Sequence, residues 1–197
     1  MLALAVALVL APAVTAAAAD LRILTRAEWG AKAPIARMTQ QAPARITLHH
    51  TATRQKPATS TRAKLQALQA FSQSTGKLAD GRTKKAWADV PYHYYVAANG
   101  EVAEGRGVGF VGDTNTGYDP TGHIAIVVEG NFETETPSPR QVAAIVDLIV
   151  LLARRHHLGA AAIGVHRDYA STACPGRNLR ALVGDIRADV ARQLGDK

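Results

Sequence analysis

Ile124-Ala125-Ile126-Val127-Val128 is apolar at every position, and no other stretch of the chain constrains the fold as tightly. A strand with two apolar faces cannot turn either of them to water, so it belongs in the middle of a sheet that helices cover on both sides. Further strands are expected from Arg45 to His50, His93 to Ala97 and Val102 to Glu104, where β-branched or aromatic side chains are prominent in most of them. Asn99-Gly100 separates the last two, and because both residues tolerate positive φ the pair predicts a two-residue turn between antiparallel strands.

Helix signals surround these strands. Ser138-Pro139-Arg140-Gln141 has the order of a capping box, with Pro139 suited to the first helical position. Val142, Ile145, Val146, Ile149, Leu152 and Ala153 then recur at spacings of three and four, which predicts one buried stripe on a helix ending near His156-His157, before Gly159. Leu179, Leu182, Ile186, Val190 and Leu194 repeat the pattern at the C-terminus, and Leu65, Leu68 and Phe71 do so after Ser60. The expected fold class is α/β: a mixed central β-sheet flanked by helices on both faces, in a single domain. At 197 residues, with 47% hydrophobic and 20% charged side chains, the chain can bury the core that such a fold needs.

The first residues are a different material. Met1 to Ala19 carry no charged side chain, and the apolar run Leu2 to Ala11 stops at Pro12, too short to span a bilayer. Ala17-x-Ala19 offers small residues for cleavage, so residues 1–19 read as a signal peptide and residues 20–197 as the functional domain. No Lys or Arg precedes the run, so retention as a weak anchor is the competing expectation. The expected destination is periplasmic or extracellular, without stable membrane insertion after processing and with a monomer as the favoured state.

A net charge of +7 would draw the protein to an anionic polymer: nucleic acid, an acidic membrane surface or a bacterial cell wall. Basic residues never cluster beyond the pairs Lys84-Lys85 and Arg154-Arg155, and aromatics are 5% of the chain, too few for a base-stacking platform. Nucleic acid is therefore not an expected partner.

Chemistry has few carriers here. The single cysteine, Cys174, excludes an intrachain disulfide and any zinc site built from several cysteines. His166 stands eight residues before it, and His49-His50 close an apolar strand far upstream. Two imidazoles and a thiolate would suffice for a catalytic zinc, which takes three protein ligands and keeps one position open. Strand alternation puts His50 with Ile46 and Leu48 on one face and His49 with Thr47 on the other, so at most one of the adjacent histidines should face a common site. From these residues alone, a buried cysteine packing as a small hydrophobe and a Cys/His nucleophilic pair remain alternatives.

Several ordered segments carry a resemblance: Arg26-Ala27-Glu28-Trp29-Gly30-Ala31, Ile46-Thr47-Leu48-His49-His50-Thr51-Ala52, Pro91-Tyr92-His93-Tyr94, Gly100 through Arg106, Ile124-Ala125-Ile126, Glu129-Gly130-Asn131-Phe132, and His166-Arg167-Asp168 through Cys174-Pro175-Gly176. Across roughly residues 22–194 the chain resembles the type 2 N-acetylmuramoyl-L-alanine amidases, the zinc amidase fold shared with animal peptidoglycan recognition proteins.

That resemblance implies Zn²⁺ held by His49, His166 and Cys174, and cleavage of the amide between N-acetylmuramic acid and L-alanine in peptidoglycan or muropeptides. It implies catalytic roles for Tyr92 and for Thr172, two positions before the cysteine. Read as residues, Tyr92 serves equally as a core aromatic and Thr172 as a loop hydrogen-bonder. Some branches of the family carry a glutamate general base where Val127 stands, which places this chain nearer a tyrosine-plus-threonine branch. Glu129 is expected to be structural or, at most, to contact substrate, and Asp168 and His93 are secondary candidates for supporting the histidines. The alternative function is a peptidoglycan-binding module of the same fold that does not cut.

Overall fold

A computed structural model describes residues 21–78 and 81–196 of the chain, so the signal-peptide reading of residues 1–19 lies outside the described residues. In chain order the elements are β1 (Ile23–Leu24), α1 (Arg26–Trp29), β2 (Arg45–His50), α2 (Thr61–Ser72), β3 (Gly76–Lys77), β4 (Thr83–Lys84), β5 (Tyr94–Val96), β6 (Val102–Glu104), β7 (His123–Val128), α3 (Pro139–His156), β8 (Ile163–Val165), α4 (Arg177–Ala181) and α5 (Val183–Leu194). Six strands form one sheet in the order β1-β6-β5-β7-β2-β8, and β3 and β4 pair separately. β5 and β6 run antiparallel, while β1–β6, β5–β7, β7–β2 and β2–β8 are parallel, so the sheet is mixed.

β7 occupies the interior of this sheet, and its apolar run is buried on both sides as expected. Ile124, Ile126 and Val128 join Ile46 and Leu48 of β2 in a large core completed by Ile145, Leu148, Ile149 and Leu152 of α3 and by Ile186 and Val190 of α5. Val127 faces the other way, into a smaller cluster with Trp29 of α1, Leu65 of α2, Tyr95 and Ala103. Helices therefore cover both faces, each held by the apolar side chains that the strand alternation sends to it.

The α3 capping box is present as the sequence indicates, with Ser138 Oγ accepting from the Gln141 N–H at 3.2 Å and the Gln141 carboxamide oxygen accepting from the Ser138 N–H at 3.0 Å. Three details differ from expectation. The β5–β6 connection is a three-residue loop: the Ala97 carbonyl accepts from Gly100, Ala97 N–H donates to Glu101, and only Gly100, at φ +86°, is left-handed. A type I turn followed by one left-handed residue closes a hairpin with right-handed strand twist as well as a two-residue turn does, and Asn99 bonds the Glu101 N–H through its side chain instead. The C-terminal apolar pattern spans two helices, α4 and α5, divided at Leu182, whereas α3 ends where the sequence places its end, at His156 with His157 as a left-handed cap. Finally, α1, β1, β3, β4 and β8 had no place among the expected elements. The Thr25…Glu28 capping box was a readable signal for α1.

Candidate metal centre

β2 and β8 lie side by side and parallel, with Leu48 in register with Val165, so His49 and His166 follow at the neighbouring carboxyl ends of two strands. That edge is where open α/β sheets present ligand sites. The His49 and His166 rings stand 4.6 Å apart between centroids. Cys174 arrives from the loop after β8, which is closed by an Arg167 N–H bond to the Cys174 carbonyl and by Thr172 Oγ1 accepting from the Cys174 N–H at 3.2 Å. Gly176 lets this loop lie against Phe132 and Glu133; a Cβ there would come within 2.4 Å of the Phe132 backbone, and its φ is +88°.

Ligand-capable atoms of His49, His166 and Cys174 all fall within 4.8 Å of one another. Cys174 Sγ is 3.7 Å from His49 Nδ1. Zinc bonds of 2.0–2.3 Å in a tetrahedron place two ligands about 3.3–3.8 Å apart, so this pair already stands at a shared-ion distance. His49 Nε2 is buried without a hydrogen-bond partner, one of two such side-chain nitrogens among the described residues. The donor set thus fits zinc in type, number and spacing.

Electrostatics agree with that use. Burial, reinforced by the neighbouring histidines, holds His49 well below the ordinary imidazole range, and burial likewise lowers His166, so both rings are neutral at neutral pH, the state in which an imidazole can ligate a metal. With only protein groups around it, burial pushes the Cys174 thiol up to about 12, opposed by the His50 N–H that donates to Sγ at 3.4 Å. An activated nucleophilic cysteine needs the reverse shift. A bound dication reverses it outright, because a coordinating thiol loses its proton.

His50 turns away, as the alternation predicts: its Nδ1 accepts from the Phe132 N–H at 3.3 Å, beside the Phe132 ring. Tyr92 lies on the metal side, 5.2 Å from His49 between ring centroids. Burial and the nearby Cys174 and Tyr118 hold its phenol well above the ordinary range. The segment before it is pinned by buried Arg106, whose guanidinium donates to the carbonyls of Asp89, Val90 and Val111 and pairs with Asp113. Thr172 is half-buried beside the cysteine.

The secondary candidates resolve into structural parts. Asp168 accepts from the Val165 N–H at 2.9 Å, capping the turn that follows β8. His93 accepts at Nδ1 from the Ala125 N–H and bonds the Phe110 carbonyl through Nε2, both at 2.8 Å. Glu129 is buried and takes three donors at 2.8 Å, the Lys56 and Ala98 N–H groups and Lys64 Nζ, so it ties the loop before α2 to the β5–β6 hairpin. Val127, in register with His49, is a buried core residue.

Two neighbours were missing from the sequence reading, Thr116 and Tyr118, both on the long loop between β6 and β7. Thr116 Oγ1 is 2.7 Å from His166 Nε2. Tyr118 stacks on Tyr169 and lies tilted against His166, and burial with nearby Cys174 pushes its phenol up to about 12. A tyrosine among turn residues, in a chain with five tyrosines, was the available hint.

Residues 39–177 match the family model described as N-acetylmuramoyl-L-alanine amidase. This chain belongs to that family. Peptidoglycan-recognition protein SD of Drosophila melanogaster is 30% identical over 169 residues, spanning 83% of this chain and 85% of the fly protein. The crystal structure of that Drosophila protein superposes with a TM-score of 0.71 at 29% identity, over 83% of this chain and 94% of its own. A human protein named N-acetylmuramoyl-L-alanine amidase is 29% identical over 163 residues, which is 78% of this chain and 26% of the human one. Family members thus include proteins named for recognising peptidoglycan and proteins named for the amidase reaction.

Proposed function

We propose that this chain is a zinc-dependent hydrolase that cleaves the amide bond between N-acetylmuramic acid and L-alanine in bacterial peptidoglycan. The observation that carries the reading is the meeting of His49, His166 and Cys174, contributed by two strand ends and a loop, within 4.8 Å. When bound there, zinc supplies Lewis-acid polarisation and lowers the pKa of a water. Neutral His49 and His166 with the Cys174 thiolate leave such an ion a residual positive charge. Tyr92 keeps its phenolic proton at neutral pH because its environment disfavours the phenolate, so it is a donor for the oxyanion of an attacked carbonyl. Thr172 Oγ1 accepts from the Cys174 N–H, which leaves its own O–H to donate to the same developing charge.

The charge of +7 favours a polyanionic wall over a neutral substrate, and the uncharged start of the sequence supports export to a periplasmic or extracellular destination. Among the described residues no helix is long and apolar enough to cross a membrane. A second reading, a peptidoglycan-binding module without hydrolysis, draws support from relatives named for recognition.

Digestion of purified sacculi followed by mass spectrometry separates the two. The hydrolase releases free stem peptides, loses activity to a chelator and regains it with zinc. Wall binding with no released peptide establishes the module instead, and full activity in metal-free protein overturns the zinc reading.

A further inference from the structure

His49 and His166 differ in how their rings are held. His49 Nε2 is buried without a partner, whereas His166 Nε2 lies 2.7 Å from Thr116 Oγ1. Thr116 is itself fixed: its hydroxyl stands 2.7 Å from Thr114 Oγ1, and its backbone N–H donates to the same oxygen at 3.1 Å. Three hydroxyl and imidazole groups therefore form a chain that leads from the loop between β6 and β7 to one side of the metal centre.

We propose that Thr116 is a positioning residue for the metal centre, setting both the tautomer and the rotation of His166, with Thr114 orienting the Thr116 hydroxyl. With Nε2 engaged by Thr116, Nδ1 is the ring nitrogen left for the cluster. A ligating nitrogen must offer its lone pair, so the single proton of the neutral ring sits on Nε2 and donates to Thr116 Oγ1. The Thr116 O–H then donates onward to Thr114 Oγ1, and each oxygen is used in one consistent direction. A threonine hydroxyl here does the work that a carboxylate or a backbone carbonyl does behind many metal-bound histidines. The tilted Tyr118 ring, 5.1 Å from the His166 ring between centroids, limits the alternative rotation.

This inference rests on the zinc reading above, and its test separates the two. Zinc affinity is measured by competition with a chromophoric chelator for wild type, Thr116→Val, Thr116→Ser and Thr114→Val, with thermal unfolding of the metal-free proteins recorded alongside. Loss of an outer partner of a metal-bound histidine weakens affinity about 10–100-fold, and that is the expected result for Thr116→Val. Thr116→Ser retains the hydroxyl and binds within about threefold of wild type, while Thr114→Val falls between the two. Metal-free unfolding midpoints stay close to wild type throughout, which a merely structural role would not produce. Equal zinc affinity in wild type and Thr116→Val overturns the positioning role while leaving the metal centre standing; a wild type that binds no zinc overturns both. Should Thr116→Val unfold, Thr114→Val carries the test, and wild-type affinity in that variant overturns the relay.

Discussion

The two sides of β2 were built for different tasks one residue apart. Leu48 points into the large core beneath α3 and α5 and is fully buried among apolar neighbours. His49 points to the opposite side, where Thr47, His123 and His166 replace aliphatic packing with polar contacts: Thr47 Oγ1 lies 2.7 Å from His123 Nδ1, and the His123 ring meets Tyr169 edge-on at 4.6 Å. Gly164 of β8 makes room on this side, since a Cβ there would approach the Tyr169 hydroxyl to 2.6 Å. One face therefore supplies stability through burial. The other keeps polar groups buried and exactingly placed, a costly arrangement that is tolerated because the first face is so well packed.

Adjacent substitutions give the sharpest test of this division. His49→Ala is expected to abolish hydrolysis of sacculi and zinc binding, with a smaller loss of stability than its neighbour. Leu48→Ala should cost about 2–5 kcal/mol in denaturant unfolding while leaving zinc stoichiometry unchanged in the folded protein. If Leu48→Ala lost zinc with its fold intact, or His49→Ala kept full activity, the division would collapse. Next in size, Tyr92→Phe should fold normally and lose rate by about 10²–10³-fold, the range for removing one oxyanion donor; unchanged kcat removes Tyr92 from the chemistry.

Acid should expose the polar burial directly. Burial lowers His50, His93 and His123 to about 4 from an ordinary 6.5. Below 6.5 the unfolded chain takes up protons that the folded chain refuses, so the stability these rings allow is complete above that pH and is lost as pH falls toward about 4. Urea midpoints followed across that window in the presence of chelator should fall steadily, and a flat profile would contradict the neutral burial of these rings. The smallest effect belongs to the start of α3: Ser138→Ala removes its cap and should cost about 1 kcal/mol with activity intact.

Much of this arrangement was legible locally. Alternation along Arg45–His50 separated His49 from His50 because neighbouring strand residues must face opposite ways, and the structure places them so. The Ser138 box and the two-sided apolar run of β7 were equally readable, being properties of a few consecutive residues. The turn at Asn99-Gly100 was located correctly and typed wrongly, since several loop lengths close a hairpin with Gly in the left-handed position.

β8 was invisible for a different reason. It is three residues long with a glycine at its centre that interrupts the β preference of Ile163 and Val165, and the edge that β2 offers is what makes it a strand. The same dependence governs Thr116 and Tyr118, which reach His166 across 50 and 48 residues of sequence. Residue order alone determined the layered sheet, its two covered faces and which histidine of the pair points away from the main core. The resemblance carried by its motifs implied that two imidazoles and a thiol meet; only the folded chain decided how closely they meet and what holds each of them, because those contacts join segments far apart along the backbone and are specified by packing that no local pattern encodes.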